Sequence, residues 1–304
     1  MATIEVRDLV KRYGATTALR GMNLEVGGGE VVAVLGPNGA GKTSLLEILE
    51  GYRRRDGGSV RVLGADPAGA GAGWRDRIGV LLQRTSVEPQ LTVVEALRMY
   101  VGFYRRSRPV EELLALAGLD TVRNRRSGAL SGGQQRRLDL ALAVCGRPEL
   151  VFLDEPTTGF DPRARRATWE LIGALAADGT TVLLTTHYLE EAAELADRVA
   201  VLARGRVVAE GDPATLGGHD LSVATVRFRL PVPAPPGAPA PPQELLGNTD
   251  GEVVSVRTAT PTRLLATVAG WAAAAGVELP ELTVTRPTLE EVYLALTSEE
   301  EDRA

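Results

Sequence analysis

The sequence has one cysteine, two lysines and no long apolar run, and each shortage excludes something. Cys145 alone cannot form an internal disulfide framework, and so sparing a use of thiols fits a reducing compartment. No apolar stretch approaches the ~20 residues that a helix needs to span a bilayer. The opening residues, MATIEVRDLV, place Glu5, Arg7 and Asp8 where a signal peptide needs an apolar centre. The expectation is a soluble chain without a leader or a span, so that any membrane role runs through a partner. With 34 basic and 39 acidic side chains the formal charge is −5, which leaves no bulk basic field for nucleic acid or anionic lipid. Internal repeats, long heptad arrays and an N-K-x-D guanine-reading motif are also missing.

What remains is an ordinary globular composition, 44% apolar and 24% charged over 304 residues. At roughly 100 to 200 residues per domain, that length suggests about two domains. The basic residues are almost all arginine; Lys11 and Lys42 are the only lysines, so the position of Lys42 asks for a physical reason.

Short apolar runs at 31–35 (VVAVL), 78–83 (IGVLLQ), 150–154 (LVFLD) and 181–187 (TVLLTTH) read as buried parallel strands. Segments 3–9 and 22–26 also read as strands, and 198–211 reads as a hairpin turning at Arg204-Gly205. Strands alternating with helices predict an α/β fold with a mostly parallel sheet and an antiparallel N-terminal β subdomain. The spacing over 92–119 predicts amphipathic helices, a helical insert spanning about 88–130. This α/β core is expected to occupy 1–216. A small α+β domain should follow at 217–304, with a solvated Pro-rich loop at 231–242. Within it the pattern predicts strands at 252–258 and 281–286, a helix at 262–275 and a docked final helix through Leu289, Val292, Tyr293 and Leu296.

GPNGAGKT, residues 36–43, fits G-x-x-x-x-G-K-[ST] between an apolar strand and a helix. Backbone amides of Gly36, Pro37, Asn38, Gly39, Ala40 and Gly41 (proline contributing shape rather than an N–H) can curl around phosphate oxygens. Lys42 then supplies a compact charge to the β/γ-phosphates, a task that suits lysine better than arginine. Thr43 offers a hydroxyl to Mg²⁺. LVFLDEP ends a strand in Asp154, placed to hold Mg²⁺, and Glu155, which could orient or deprotonate water. Such a pair is commonly only solvated; a P-loop in the same chain reverses the odds. His187 stands at a strand's C-terminal edge, where nucleotide sites form in parallel sheets. A structural histidine is the plain alternative to a γ-phosphate contact. Gln83 closes another strand, and Tyr13 either stacks on adenine or packs on its own sheet. The helix after 189 is expected to bury Leu189, Ala192, Ala193 and Ala196, and the one after 131 to bury Leu138, Ala141, Leu142 and Cys145.

LSGGQQRR, residues 130–137, opens that second helix with Ser131, Gly132 and Gly133, a further anion-binding terminus in a chain that already has one. Together with Gln83, the two Walker motifs, GFDP at 159–162 and His187, this order of motifs resembles ABC-transporter ATPases over roughly residues 1–215. RRLDLALAV and the ending PTLEEVYLALT are similar to the subgroup that drives exporters of the daunorubicin-resistance type. The resemblance implies that Ser44 also serves the chain's own ATP. It further implies that Ser131, Gly132, Gly133, Gln134 and Asp161 face the ATP of a second, identical copy, so two Mg²⁺-ATP are sandwiched in a homodimer. Phe160 replaces the family's usual leucine, and Gln83 would join metal contact to coupling. A separate polytopic permease subunit is implied, with the chain peripheral on the cytoplasmic side of the membrane and moving a drug-like substrate. An ABC-type ATPase acting on nucleic acid or the ribosome is the alternative. The acidic balance, single P-loop and missing coiled coil weigh against it, and no nucleic-acid partner is expected. A P-loop kinase or GTPase leaves LSGGQ without a purpose.

Overall fold

The computed structural model describes residues 2–81, 87–216, 223–230, 239, 242, 249–250 and 253–285. They divide into two compact units, with the change between Pro213 and Ala214.

The first unit is built on a six-stranded sheet in the order β5-β6-β7-β3-β8-β9, formed by Ile78–Leu81, Leu150–Asp154, Thr181–Thr186, Val31–Leu35, Arg198–Ala203 and Arg206–Gly211. All neighbours pair in parallel except β8 and β9, whose hairpin closes on Arg204 and Gly205 at φ 48° and 78°. Two consecutive positive φ values match the twist of the flanking strands, and glycine makes the second one cheap. β3, β6 and β7 are buried along their whole length; β3 is wholly apolar, and the polar side chains of the other two are Asp154 and three threonines of β7. The expected mostly parallel α/β core is present.

A second sheet, β2-β1-β4, lies across α1 (Lys42–Leu49). Its strands run Ala2–Tyr13, Thr16–Gly27 and Gly57–Val62. Leu45, Leu46, Ile48 and Leu49 of α1 join Ile4, Val6 and Leu24 on one side and Val32, Val34 and Phe152 on the other in a single apolar cluster. β1 and β2 extend beyond the expected 3–9 and 22–26, because each continues as a paired ribbon past the apolar stretch. β4 has only Val60 and Val62 pointing inward, too weak a pattern to announce a strand. Beyond Leu81, the continuation of β5 through Gln83 lies outside the described residues.

The helical insert holds α3 (Val93–Val101) and α4 (Val110–Ala117), leading to α5 (Gly132–Val144); α2 is a single turn at Ala72–Arg75. Thr92 and Glu95 form a reciprocal capping box at the start of α3. Arg108 bonds Glu112 at 2.5 Å and Asp178 at 2.9 Å, tying α4 to the end of α6 (Pro162–Ala177). α5 buries every residue from Leu138 to Val144, not a single stripe, and Cys145 caps it in full burial. The face of α7 (Leu189–Leu195) differs from expectation: Ala193 is exposed, and Glu191 is buried with Ala192. Side-chain hydrogen bonds to Glu191 override the apolar pattern there.

The second unit, taken by itself, is a four-stranded antiparallel sheet, β11-β12-β10-β13: Thr249–Asp250, Val253–Thr258, Ala224–Arg229 and Thr283–Thr285. α8 (Pro261–Ala275) places Leu264 and Val268 on Val226, Phe228 and Val254. The expected final helix and nearly all of the Pro-rich loop lie outside the described residues. Among the described residues no helix is long and apolar enough to cross a membrane.

Phe152 stands fully buried at the centre of the first unit's core. Phe152→Ala should lower unfolding free energy by about 3–5 kcal/mol through lost transfer energy and the remaining cavity. Urea denaturation checks this; a loss under 1 kcal/mol would mean that the core closes around the gap.

Candidate functional site

β3 ends at Leu35 and the chain turns through Gly36–Gly41 into α1. Two of these glycines are required by geometry. A Cβ on Gly36 would sit 2.4 Å from Leu202 O, and Gly41 holds φ 112° with Ala18 O 2.7 Å from where a Cβ would be. Pro37, Asn38 and Gly39 are exposed, whereas Ala40 is buried, its N–H bonded to Pro37 O and its carbonyl to Gly205 N–H. Lys42 folds back over the loop and donates from Nζ to Gly36 O at 2.7 Å and Pro37 O at 3.1 Å. Thr43 is exposed in the first turn, and Ser44 Oγ meets Tyr13 Oη at 3.0 Å. Tyr13 is 40% exposed, with the cations of Lys11 and Arg53 5.4 and 5.2 Å from its ring centre. That leaves ring surface for a base to stack on and makes the packed alternative incomplete.

β6 brings Asp154 and Glu155 to the same edge. Thr185 Oγ1 donates to Asp154 Oδ1 at 2.5 Å, and both Thr185 O and Oγ1 accept the Glu155 N–H, at 3.1 and 3.2 Å. Glu155 has φ 46°, the left-handed region that side chains other than glycine seldom enter. Its Oε1 lies 3.8 Å from Lys42 Nζ and 3.4 Å from His187 Nδ1, and Thr158 Oγ1 donates to its Oε2 at 3.2 Å. Lys42, Asp154, Glu155 and His187 therefore converge. Burial pulls the Lys42 ammonium below the usual lysine range, against the opposing pull of Glu155 and Asp154. Burial pushes the Asp154 carboxyl up, and the Glu155 charge adds to it, while the Thr185 hydrogen bond works the other way.

Ser131 and Asp161 sit elsewhere, each at a helix start. Ser131 Oγ accepts from Gln134 N–H and Gln134 Oε1 accepts from Ser131 N–H, a closed capping box, so the Gln134 side chain is engaged in its own helix. Asp161 caps α6 through Ala164 N–H at 2.9 Å. A cleft of about 1040 Å³ runs between these two termini, lined by Ser131, Gly132, Gly133, Gln134 and Asp161, with Glu155 on its wall. Glu155, whose Oε1 is 3.8 Å from Lys42 Nζ, joins this cleft to the lysine. Gln83 lies outside the described residues. Sequence reasoning missed Arg136 and Glu191, which hold the Glu155 turn; their acceptors and donors come from distant segments and leave no local pattern.

A glycine loop, a lysine opening a helix, and an Asp-Glu pair at the end of the next strand but one define a P-loop nucleoside triphosphatase. Residues 19–158 match the model of the ABC transporter family, and 224–288 match an ABC-transporter-like C-terminal domain. The chain is 40% identical to the daunorubicin/doxorubicin resistance ATP-binding protein of Streptomyces peucetius, over 98% of this chain and 93% of that one. It is 35% identical to the Nod factor export ATP-binding protein I of Rhizobium johnstonii, over 99% and 96%. A dimeric bacterial ABC transporter cassette superposes with a TM-score of 0.62 at 28% identity, covering 69% of this chain and 98% of that one. The chain belongs to the ABC transporter family as one of its ATP-binding, ATP-hydrolysing subunits.

Glu50, at the end of α1, is buried, and its carboxyl is pushed up to about 8 by that burial and by the charges of Asp154 and Glu47. An unfolded glutamate ionises near 4.3, so between the two values the folded chain holds the extra proton and stability falls as pH rises. The nucleotide-free protein should therefore lose on the order of 1 kcal/mol per pH unit from this group between pH 5 and 8. Glu50→Gln should remove that slope in urea titrations. Equal slopes for both proteins would assign the titration to another residue.

Proposed function

We propose that two copies of this chain bind two Mg²⁺-ATP between them and drive a separate membrane subunit that exports a drug-like or other hydrophobic substrate. The full-length similarity to drug-resistance ATP-binding proteins carries this reading, because it extends through the C-terminal unit as well as the cassette. The chain then acts at the cytoplasmic face of the membrane, held there by the permease.

Within each copy, the Gly36–Gly41 loop binds the phosphates through its amides and Lys42 through its charge, with the α1 terminus adding its dipole. Ser44 supports the same end, and Tyr13 takes the base. The donor set fits magnesium rather than a protein-caged metal. Among the described residues no cluster of three or more His, Cys, Asp or Glu could hold a metal ion alone. Thr43 and Asp154 would hold Mg²⁺, which takes its other ligands from water and phosphate and spreads the charge developed in phosphoryl transfer. Thr185 keeps the Asp154 carboxylate oriented for that task. Glu155 accepts the proton of the attacking water, and His187, 3.4 Å from it, orients both the carboxylate and the γ-phosphate. Ser131, Gly132, Gly133, Gln134 and Asp161 line one cleft at the starts of two helices, and in this reading they serve the partner's nucleotide. Gln83 would sense the metal and couple to the permease.

Glu155→Gln should keep ATP binding, slow hydrolysis on the order of 10²-fold or more, and accumulate an ATP-dependent dimer on a sizing column. Near-normal turnover would remove Glu155 from the chemistry. Action in trans has its own check. A wild-type chain tethered to one carrying both Lys42→Ala and Ser131→Arg should hydrolyse little ATP, since each composite site then has one defect. Substantial activity from that pair would mean that the signature residues serve their own chain's nucleotide.

A further inference from the structure

The turn that carries Glu155 is gripped from two sides, one half-buried and one fully buried. On one side stands Arg136, five residues along α5 from Ser131. It donates from Nη2 to Asp154 O at 2.8 Å and Glu155 O at 3.4 Å, and from Nε to Pro156 O at 3.3 Å. On the other side stands Glu191, fully buried in the first turn of α7, four residues after His187. Its Oε1 accepts from Thr157 Oγ1 at 2.8 Å and from Trp169 Nε1 at 3.1 Å, while Oε2 accepts no hydrogen bond. A guanidinium directed at three successive carbonyls, and a carboxylate buried with one oxygen unsatisfied, both cost free energy that apolar side chains of the same size would not. Burial lowers the basicity of Arg136, and the charges of Asp139, Asp154 and Glu191 oppose that loss.

The turn needs holding. Glu155 sits at φ 46°, a conformation that costs a residue with a Cβ roughly 1–2 kcal/mol. Released, its backbone relaxes towards negative φ and swings the carboxylate away from Lys42 and His187. We propose that Arg136 and Glu191 are positioning residues for hydrolysis, a clamp that keeps Glu155 left-handed and ties its position to α5 and α7. The proposal rests on Glu155 acting on the attacking water. It also gives α5 a mechanical link to Glu155 of its own chain, because a shift of the helix that begins at Ser131 carries the guanidinium and the three carbonyls with it.

The test uses the full-length chain and separates ATP affinity from kcat, with a fluorescent ATP analogue for binding. Arg136→Met should lower kcat about 10- to 100-fold, the scale of a 1 Å misplacement at a reacting group. Affinity should stay within roughly two-fold, the split expected when only transition-state geometry is lost. Arg136→Lys, which restores one donor, should recover part of the rate. Glu191→Leu should behave like Arg136→Met, and Glu191→Gln, which keeps an accepting oxygen, should retain most of the rate. Added to Glu155→Gln, Arg136→Met should cause no further loss, because the group that it positions is already gone. Unchanged kcat in Arg136→Met, a parallel fall in affinity, or a full further loss on the Glu155→Gln background would each overturn the proposal. Near-normal turnover by Glu155→Gln itself would overturn the catalytic reading and this proposal together. If the Met and Leu variants do not fold, Arg136→Lys and Thr157→Val decide: kcat must fall while affinity holds, and an unchanged kcat in both overturns it.

Discussion

The common level at which three parallel strands end organises the whole site. β3, β6 and β7 are neighbours in register, with Leu35 opposite Thr186 and Asp154 opposite Thr185. The chain leaving β3 enters the phosphate loop, the chain leaving β6 turns at Glu155, and the chain leaving β7 reaches His187. A slip of one residue in any pair would exchange the faces of that strand, and each strand is buried on both faces among unlike neighbours. The apolar interior thus fixes the register, and the register sets Lys42, Asp154, Glu155 and His187 within reach of one another. Function here depends on the packing of the strands beneath the site.

That arrangement works against stability at its own edge. Lys42 and Asp154 are both buried, each with its basicity shifted against the charged form, and Glu155 holds an unfavourable backbone conformation. Half-buried Arg136 and fully buried Glu191 add further polarity. Such charges survive only where the surrounding structure over-determines them. The surplus comes from the cluster around α1, where two sheets enclose one helix and bury apolar side chains from all three. Strain is concentrated where charge must meet a phosphate, and the core that carries it is remote from solvent.

Legibility in the sequence followed the range of the interaction. β3, the glycine loop and α1 could be read because strand, turn and helix signals lie within twenty residues, and a lysine in an arginine-rich chain marks the pivotal charge. The alternating ribbon of β1 and β2 was legible only at its apolar centre; its ends are strands because they pair, not because of composition. β4 was missed for the same reason, since Gly57–Val62 becomes a strand by pairing with β1. α7 misled more plainly. Its alanines suggested an apolar face that includes Ala193, yet Glu191 lies inside, its Oε1 bonded by Thr157 and Trp169 from 34 and 22 residues away. Arg136 bonds to backbone carbonyls, which every residue has, so no residue type elsewhere could signal it.

The glycines of LSGGQ bear on the proposal that two copies share each site. Gly36 and Gly41 have reasons inside the molecule, because a Cβ there would strike the chain's own backbone. Gly132 has no such reason: a Cβ at that position meets nothing within 4 Å, and its backbone is not in the left-handed region. Helix propensity argues against it too, since glycine in a first turn costs up to about 1 kcal/mol relative to alanine. Gly133 is more constrained, since a Cβ there would lie 3.3 Å from Ala164 Cβ, a tight contact. The capping box formed by Ser131 and Gln134 already satisfies the local needs of the helix start. A bare, unfavourable backbone on an open cleft, with nothing in its own chain that requires it, supports a role in letting something from outside approach the amides at the end of α5.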